Sequence, residues 1–269
     1  MSKDVYENPL VGRYAADEMK RLFSPQKKFS TWRRLWLALA ESENELGLAQ
    51  ISDEAIAQMR ANLDNINYEV AEERERETRH DVMSHVHAFG LQAPAAAGII
   101  HLGATSQFVN CNTDIILHRE GLHLLKGKCV AVIRALAEFA KQHAAQPCLG
   151  STHFQVAQLV TVGKRATLWI NDLLGDYYTI AQFAANTPLR GVKGTTGTQA
   201  SFLTLFDGDH DKVKQLDRMV CAKMGVDMPS FPVTGQTYSR KVDHMLMSAI
   251  SGIGVSLHKM GEDIRLLMG

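Results

Sequence analysis

Four short stretches carry residues whose types and spacing could do chemistry. The first, RETRHDVMSHVHAF at 76–89, sets His80, His85 and His87 among arginines and acids. Three imidazoles so close together suggest a metal site, an acid–base site, or the polar side of a helix. On a helix His80 and His87 lie about two turns apart, and Asp81 and His85 are i,i+4 partners, with His85 off the His80/His87 line. Metal ligands must converge, and there is no H-x-x-x-H pair, so the metal reading fits worst. His85 and His87 read as satisfied or half-exposed scaffold residues. His80 follows Arg79 and precedes Asp81 at a helix start. There free N–H groups and a guanidinium can hold an anion, and the imidazole can be fixed in one tautomer.

The second stretch is HLGATSQFVN, 101–110. Gly103 permits a tight turn, and Thr105 and Ser106 offer hydroxyls and N–H groups at the head of the longest helix. Such a head can cradle a carboxylate or phosphate, although plain N-capping explains the same residues equally well. The third, GSTHFQVAQLVTVGKR at 150–165, places His153 between a hydroxyl residue and the expected head of another long helix, with Gln155 and Gln158 nearby. An imidazole titrates close to neutrality and suits a general acid; a capping or buried histidine is the alternative. In the fourth, RGVKGTTGTQ at 190–199, the three glycines resemble a nucleotide loop only loosely. No strand precedes them, so neither the dinucleotide fingerprint nor the P-loop is met, and a tight or flexible connection fits better. Arg13-Tyr14 after NPLVG, and Gln236-Thr237-Tyr238, could add polar or stacking contacts.

The elements that must position these residues read as helices. From Phe29 to Leu48 the apolar residues Trp32, Leu35, Trp36, Leu39 and Leu46 recur at spacings of three and four. Ser30 or Thr31 is the expected N-cap, Arg33, Arg34, Glu41 and Glu43 the wet side, and Gly47 the stop. Ser52 opens a shorter helix to about Asn62, and 80–89 continue the pattern up to Gly90. Long amphipathic segments run from Thr105-Ser106 to about His143, from about Ala157 to Phe183, and from about Tyr238 to Met268. Strand-like alternation is scarce, Ile99–His101 being the best candidate. The fold class expected is all-α: an N-terminal helical domain over 1–105, then part of a long-helix bundle over 106–269. The last helix is still in progress at 263–268, which reads as a chain cut within a helix.

Bulk composition excludes some functions. The 269 residues carry 29 Lys+Arg and 29 Asp+Glu, so the formal charge is zero. A balanced chain gives no electrostatic reason to expect nucleic acid or an anionic membrane as partner. Apolar runs such as 166–170 and 253–257 are too short to span a bilayer, and the first ten residues show no secretory h-region. Four cysteines, Cys111, Cys129, Cys148 and Cys221, lie far apart with no C-x-x-C pair. They read as reduced thiols of a cytoplasmic protein.

The order of the stretches says more than any one of them. TRHDV, LGATS, STHFQ-x-AQ and RGVKGTTGTQ, with NPLVGRYAADEM before them and VTGQTYSRKVD and DIRLL after, resemble the fumarase/aspartase superfamily, and within it the animal-type adenylosuccinate lyase branch. The resemblance covers nearly the whole chain. It implies a homotetramer with active sites shared between subunits. It also implies fumarate elimination from adenylosuccinate (giving AMP) and from SAICAR (giving AICAR), in purine nucleotide synthesis without metal or organic cofactor. By the same resemblance His153 is the general acid toward the leaving nitrogen, and Thr105 and Ser106 hold the succinyl portion. Arg79, His80 and Asp81 form a substrate-binding segment; Arg13, Tyr14 and Gln236 are further substrate contacts.

The sequence also departs from the family pattern. The loop G-S-S-x-M-P-x-K-x-N-P, which carries the family's serine base and a lysine, does not occur in these 269 residues. The resemblance places the phosphate-gripping arginines and a C-terminal domain downstream of that loop, and both are expected to be absent with it. Val156 stands where a proline usually follows THFQ, which is expected to cost helix-start rigidity but no chemistry; Gln107 replaces the usual residue after ATS. These residues by themselves are therefore expected to be inactive. A non-catalytic truncated isoform or helical scaffold, and another fumarate-releasing enzyme such as argininosuccinate lyase, are the alternatives.

Overall fold

The computed structural model describes residues 8–268; Met1–Glu7, part of the stretch read for a secretory signal, and Gly269 lie outside the described residues. Among the described residues ten α-helices and one hairpin follow in order: α1 Asp17–Leu22, α2 Pro25–Glu45, α3 Asp53–Ala61, α4 Tyr68–Thr78, α5 Asp81–Gln92, α6 Ser106–Gln142, β1 Pro147–Thr152, β2 Gln155–Thr161, α7 Val162–Asn186, α8 Ala200–Leu205, α9 His210–Lys223 and α10 Lys241–Met268. The all-α class is borne out. Contacts divide the chain into two compact units, Met1–Leu117 with Pro188–Ser239, and His118–Thr187 with Arg240–Gly269. The change expected at 105/106 coincides with the head of α6, whereas compactness returns 188–239 to the first unit.

The first unit is organised by α2. Its cap is Ser24, whose Oγ accepts from the Lys27 N–H, and Pro25 occupies the first turn, where its missing N–H costs nothing. The helix thus starts earlier than its apolar spacing suggested. Ser30 and Thr31 are not caps but internal residues whose hydroxyls donate back to the carbonyls of Gln26 and Lys27. Nor do Arg33 and Glu43 face water. Both are buried together with Trp32, Leu35, Trp36 and Leu39, because neighbours cover most of the circumference of α2 and leave only a narrow strip with Arg34 exposed. Met59, Val82, Phe89, Phe108, Phe202, Val213, Leu216 and Val220 complete that core. Arg33 is compensated: it donates to the carbonyls of Asn62 and Asn65 and to Gln92, and stacks on the Phe89 ring at 4.4 Å. Burial lowers its pKa to about 10. Glu43 is not: neither carboxyl oxygen has a partner, and burial pushes its pKa up to about 9, so it is a neutral acid at pH 7.

Other boundaries are as the caps dictate. Ser52 caps α3 through the Ala55 N–H, as read from sequence. Helix α5 passes through Gly90 to Gln92, because Gly90 packs closely on Ala97 and keeps right-handed geometry. Residues 97–103 form turns, not a strand.

The second unit is built from the long helices. Leu122, Ile180, Ala184, Leu246 and Ala249 form one small core, and Ala140, Ala166 and Trp169 another. The strands lie here, where a helix from Ala157 was expected: residues 157–161 belong to β2, which pairs antiparallel with β1, Thr152 opposite Gln155. Helix α7 begins only at Val162, capped by Thr161. Val156 is therefore a strand residue, and the helix-start argument about a missing proline does not apply to it. A bulge between Leu149 and Ser151 falls at Gly150, where a Cβ would lie 2.8 Å from the Gln158 carbonyl.

Candidate functional site

The Arg79–Asp81 segment is the joint between two helices. Arg79 ends α4 in the left-handed region (φ 55°), its N–H bonded to the Glu75 carbonyl at 2.8 Å. That reversal makes His80 the N-cap of α5, and its Nδ1 accepts the Met83 N–H at 3.3 Å. An acceptor nitrogen carries no proton, so the neutral imidazole holds its hydrogen on Nε2. Nε2 lies 3.5 Å from the Ser106 hydroxyl oxygen. With Nε2–H directed at that oxygen, the Ser106 O–H remains available to a ligand. Asp81 sits in the first turn of α5, its carboxylate accepting the Val82 N–H at 2.8 Å and lying 4.0 Å from His80 Nδ1.

The partner segment is held just as firmly. Gly103 adopts φ 66°, and a Cβ there would come within 2.9 Å of Leu205 and Phe202; the Ser201 hydroxyl donates to the Gly103 carbonyl at 2.7 Å. This turn delivers buried Thr105 and partly exposed Ser106 to the head of the 37-residue α6. His80, Thr105 and Ser106 together make an array of hydroxyl, imidazole and helix-head N–H donors. Such an array suits a carboxylate, or a charge that grows on one during reaction.

His101 belongs to this neighbourhood and was not singled out from sequence. Its Nδ1 accepts the Trp36 indole N–H at 2.8 Å, again leaving the proton on Nε2. Burial, with a smaller contribution from the charge of nearby His80, lowers its pKa to about 4. A neutral donor is thereby fixed across the physiological range. The bond that defines it spans 65 positions, which no local spacing reveals.

The remaining nominated residues are placed as follows. His85 is buried, stacked on Phe29 at 3.7 Å between centroids, with its pKa lowered to about 4 mainly by burial; His87 is exposed. The three imidazoles of the first stretch serve separate purposes, and among the described residues no group of His, Cys, Asp or Glu could hold a metal ion. Arg13 and Tyr14 lie on a π-helical turn, Leu10–Tyr14, the guanidinium 5.5 Å from the exposed tyrosine ring. Among the described residues no hydrogen bond joins them to the His80–Ser106 pair. Gln236 is exposed on the 229–239 loop, its backbone carbonyl held by Arg190. His153 belongs to the second unit and is not at a helix head. It forms the tip of the β1–β2 hairpin with Phe154, both in the left-handed region (φ 52° and 55°), and Phe154 is 90% exposed. Two-residue turns of this kind are ordinarily made by Asn-Gly or Gly-Gly.

The candidate donors, hydroxyl, imidazole and N–H, stand at helix heads and joints of a protein built on long helices. The comparisons name it more closely: a family model described as "Lyase" matches residues 12–269, and the chain belongs to that family. The chain is 53% identical to adenylosuccinate lyase of Saccharomyces cerevisiae, over 98% of this chain and 55% of that protein. It is 51% identical to that of Schizosaccharomyces pombe, over 97% and 55%. The chain thus spans about half the length of these curated relatives. Among solved structures, a fumarate lyase from Mesorhizobium sp. BNC1 matches with a TM-score of 0.82 at 24% identity, over 98% of this chain and 59% of that one. The 3-carboxy-cis,cis-muconate lactonizing enzyme from Pseudomonas putida matches with 0.82 at 22%, over 97% and 58%. At such identities the structural likeness speaks for the fold alone. The family and the adenylosuccinate lyase resemblance read from the motifs are both borne out.

Proposed function

We propose that the chain serves a lyase that eliminates fumarate from adenylosuccinate, giving AMP, and from SAICAR, giving AICAR. The observation that carries this reading is the 53% identity to the yeast adenylosuccinate lyase over 98% of the chain. In the proposed reaction a base removes a proton beside a succinyl carboxylate, whose oxygens take up the negative charge. The electron pair then forms the carbon–carbon double bond, the C–N bond breaks, and His153 protonates the departing nitrogen. Thr105, Ser106 and the Nε2–H of His80 stabilise the carboxylate while it carries the extra charge, without having to reorganise. Arg79 and Asp81 flank them; Arg13, Tyr14 and Gln236 contact the rest of the substrate. The base belongs to the serine-bearing loop of the family pattern, a sequence these 269 residues do not contain.

The proposed assembly is a cytoplasmic homotetramer with active sites shared between subunits, needing no metal, organic cofactor, nucleic acid or membrane. Exposed Met245, Met247, Val255, Leu266 and Leu267 on α10 support a bundle completed by other copies. Among the described residues no helix is long and apolar enough to cross a membrane.

Calorimetric titration of the 269-residue chain tests the reading. Saturable binding of AMP and adenylosuccinate is expected, weakened by His80→Ala and by Ser106→Ala, with negligible loss of adenylosuccinate absorbance over time. Failure to bind either nucleotide, or turnover by these residues alone at the rate of a full-length relative, would overturn it.

A further inference from the structure

The loops 190–199 and 229–239 close on each other around two buried cations, Arg190 and Lys193, of which Arg190 bridges the loops. Arg190 is fully buried, and its guanidinium is spent on backbone carbonyls: Nε donates to Gln236 at 2.8 Å, Nη1 to Lys193 at 2.7 Å and Nη2 to Gly194 at 2.8 Å. None of these acceptors is a carboxylate. The rigid fork acts as a template that fixes three carbonyls from two loops, a task a flexible ammonium cannot copy.

The surroundings hold the template in place. The Asn112 amide pairs with both the N–H and the carbonyl of Gly191, at 3.0 and 3.2 Å. Asp217 accepts from the Val192 N–H at 2.6 Å and from Ser230 Oγ at 2.5 Å, while Lys193 Nζ donates to Ser230 Oγ at 2.7 Å. At Gly197 (φ 80°) a Cβ would lie 1.9 Å from the Thr234 carbonyl oxygen, so the two loops interlock without clearance. The stretch that resembled a nucleotide loop is a rigid clasp on the segment that bears Gln236.

We propose that Arg190 is a positioning residue for Gln236: it fixes the Gln236 peptide, and through it the side chain offered to the nucleotide. This rests on the reading of Gln236 as a substrate contact. Simple stabilisation of the unit is the competing account, and the two separate in a double-mutant cycle. Gln236→Ala keeps the carbonyl that Arg190 holds and removes only the side chain, whereas Arg190→Lys keeps a charge but loses the fork.

The experiment measures AMP affinity of the 269-residue chain, Arg190→Lys, Gln236→Ala and the double variant, with backbone amide exchange alongside. Each single change is expected to weaken AMP by about tenfold, and the double variant to bind no more weakly than Gln236→Ala alone. Amides of 191–194 and 233–238 should exchange faster in Arg190→Lys while those of α2 and α9 stay unchanged. Independent, multiplying losses, or wild-type exchange in both loops, would overturn the positioning role; so would looser loops with AMP affinity unaltered. A wild-type chain that ignores AMP would instead remove the substrate reading of Gln236, and the proposal with it, even where exchange shows the clasp itself loosened.

Discussion

The two units use the same kind of helix to opposite ends. In the first, α2 is covered over most of its circumference, two tryptophans and even an arginine and a glutamate lie buried on it, and polar side chains hold loops in place. In the second, the 28-residue α10 buries only Leu246 and Ala249, while large apolar residues stand exposed along it. The first unit encloses a large hydrophobic core of its own, although buried polar atoms such as the Glu43 carboxyl oxygens have no partner. The second presents long helices with only two small seams filled and much apolar surface left exposed. The candidate donors follow this division: His80, His101, Thr105 and Ser106 are locked by their surroundings, whereas His153 sits exposed on a turn with two left-handed non-glycine residues.

If the contrast is right, truncations to alanine in the two units should have unequal costs, beyond what the difference in side-chain size explains. Trp36→Ala removes a fully buried indole and should destabilise the first unit by about 3–5 kcal/mol. Met247→Ala in α10 removes a side chain that is 61% exposed and should change stability by less than about 0.5 kcal/mol. Urea unfolding read by fluorescence and circular dichroism compares them; similar losses would erase the distinction. Trp36→Ala also frees Nδ1 of His101, whose pKa should rise from about 4 toward the ordinary imidazole range, visible by proton NMR.

The buried acid of α2 sharpens the comparison through pH. The folded pKa of Glu43 is raised to about 9, so between the ordinary carboxylate range and pH 9 the folded state binds more protons than the unfolded one. Its contribution is full below the unfolded pKa and is lost as pH climbs to about 9. His85 and His101 act in the other sense. Folded values of about 4 mean that the unfolded state takes the proton first, so stability falls as pH drops from about 6.5. From these three groups the first unit should be most stable near pH 6.5. Glu43→Gln should flatten the alkaline decline and gain up to about 5 kcal/mol at pH 8, less the cost of burying the amide. An unchanged alkaline slope in a pH series of urea midpoints would show that Glu43 is solvated.

How much of this could be read from sequence follows from what a spacing records. Apolar recurrence found α2, α6 and α10, and the Ser52 cap fixed α3. A spacing says which residues share a face but not how many faces are covered, so Arg33 and Glu43 were placed in water. The 157–161 segment, AQLVT, satisfies a helical and an extended pattern alike, and only pairing with Pro147–Thr152 decides for the strand. His80 and Ser106 were both legible because each stands at a helix head, a local feature. His101 and Arg190 were not, since each is defined by partners tens of residues away.

The hairpin tip tests the exposed side of the contrast. Replacing His153-Phe154 by Asn-Gly supplies residues that accept left-handed backbone without penalty and should steady the hairpin by about 1–2 kcal/mol. Amide exchange across β1 and β2 should slow accordingly. In a catalytically competent form of the protein the same exchange should abolish turnover, because the proposed acid is gone. A hairpin no steadier than before would mean the two left-handed residues carry no strain.

The smallest effect belongs to the surface of the first unit. Arg34 grips Asp64 through two bonds of 2.9 and 3.0 Å, and hydrogen bonding from that guanidinium lowers the Asp64 pKa. The geometry matches that of an interior pair, but both side chains are exposed to water, where screening and the entropy of holding them offset the attraction. Arg34→Ala should therefore cost only about 0.5 kcal/mol at low salt and less at high salt. The contribution exists above the ordinary aspartate pKa and fades as pH falls through the lowered folded value. A loss approaching that of Trp36→Ala, measured by the same urea titration, would mean that polar clasps at the surface rival the buried core, and the contrast between the units would rest on the wrong term.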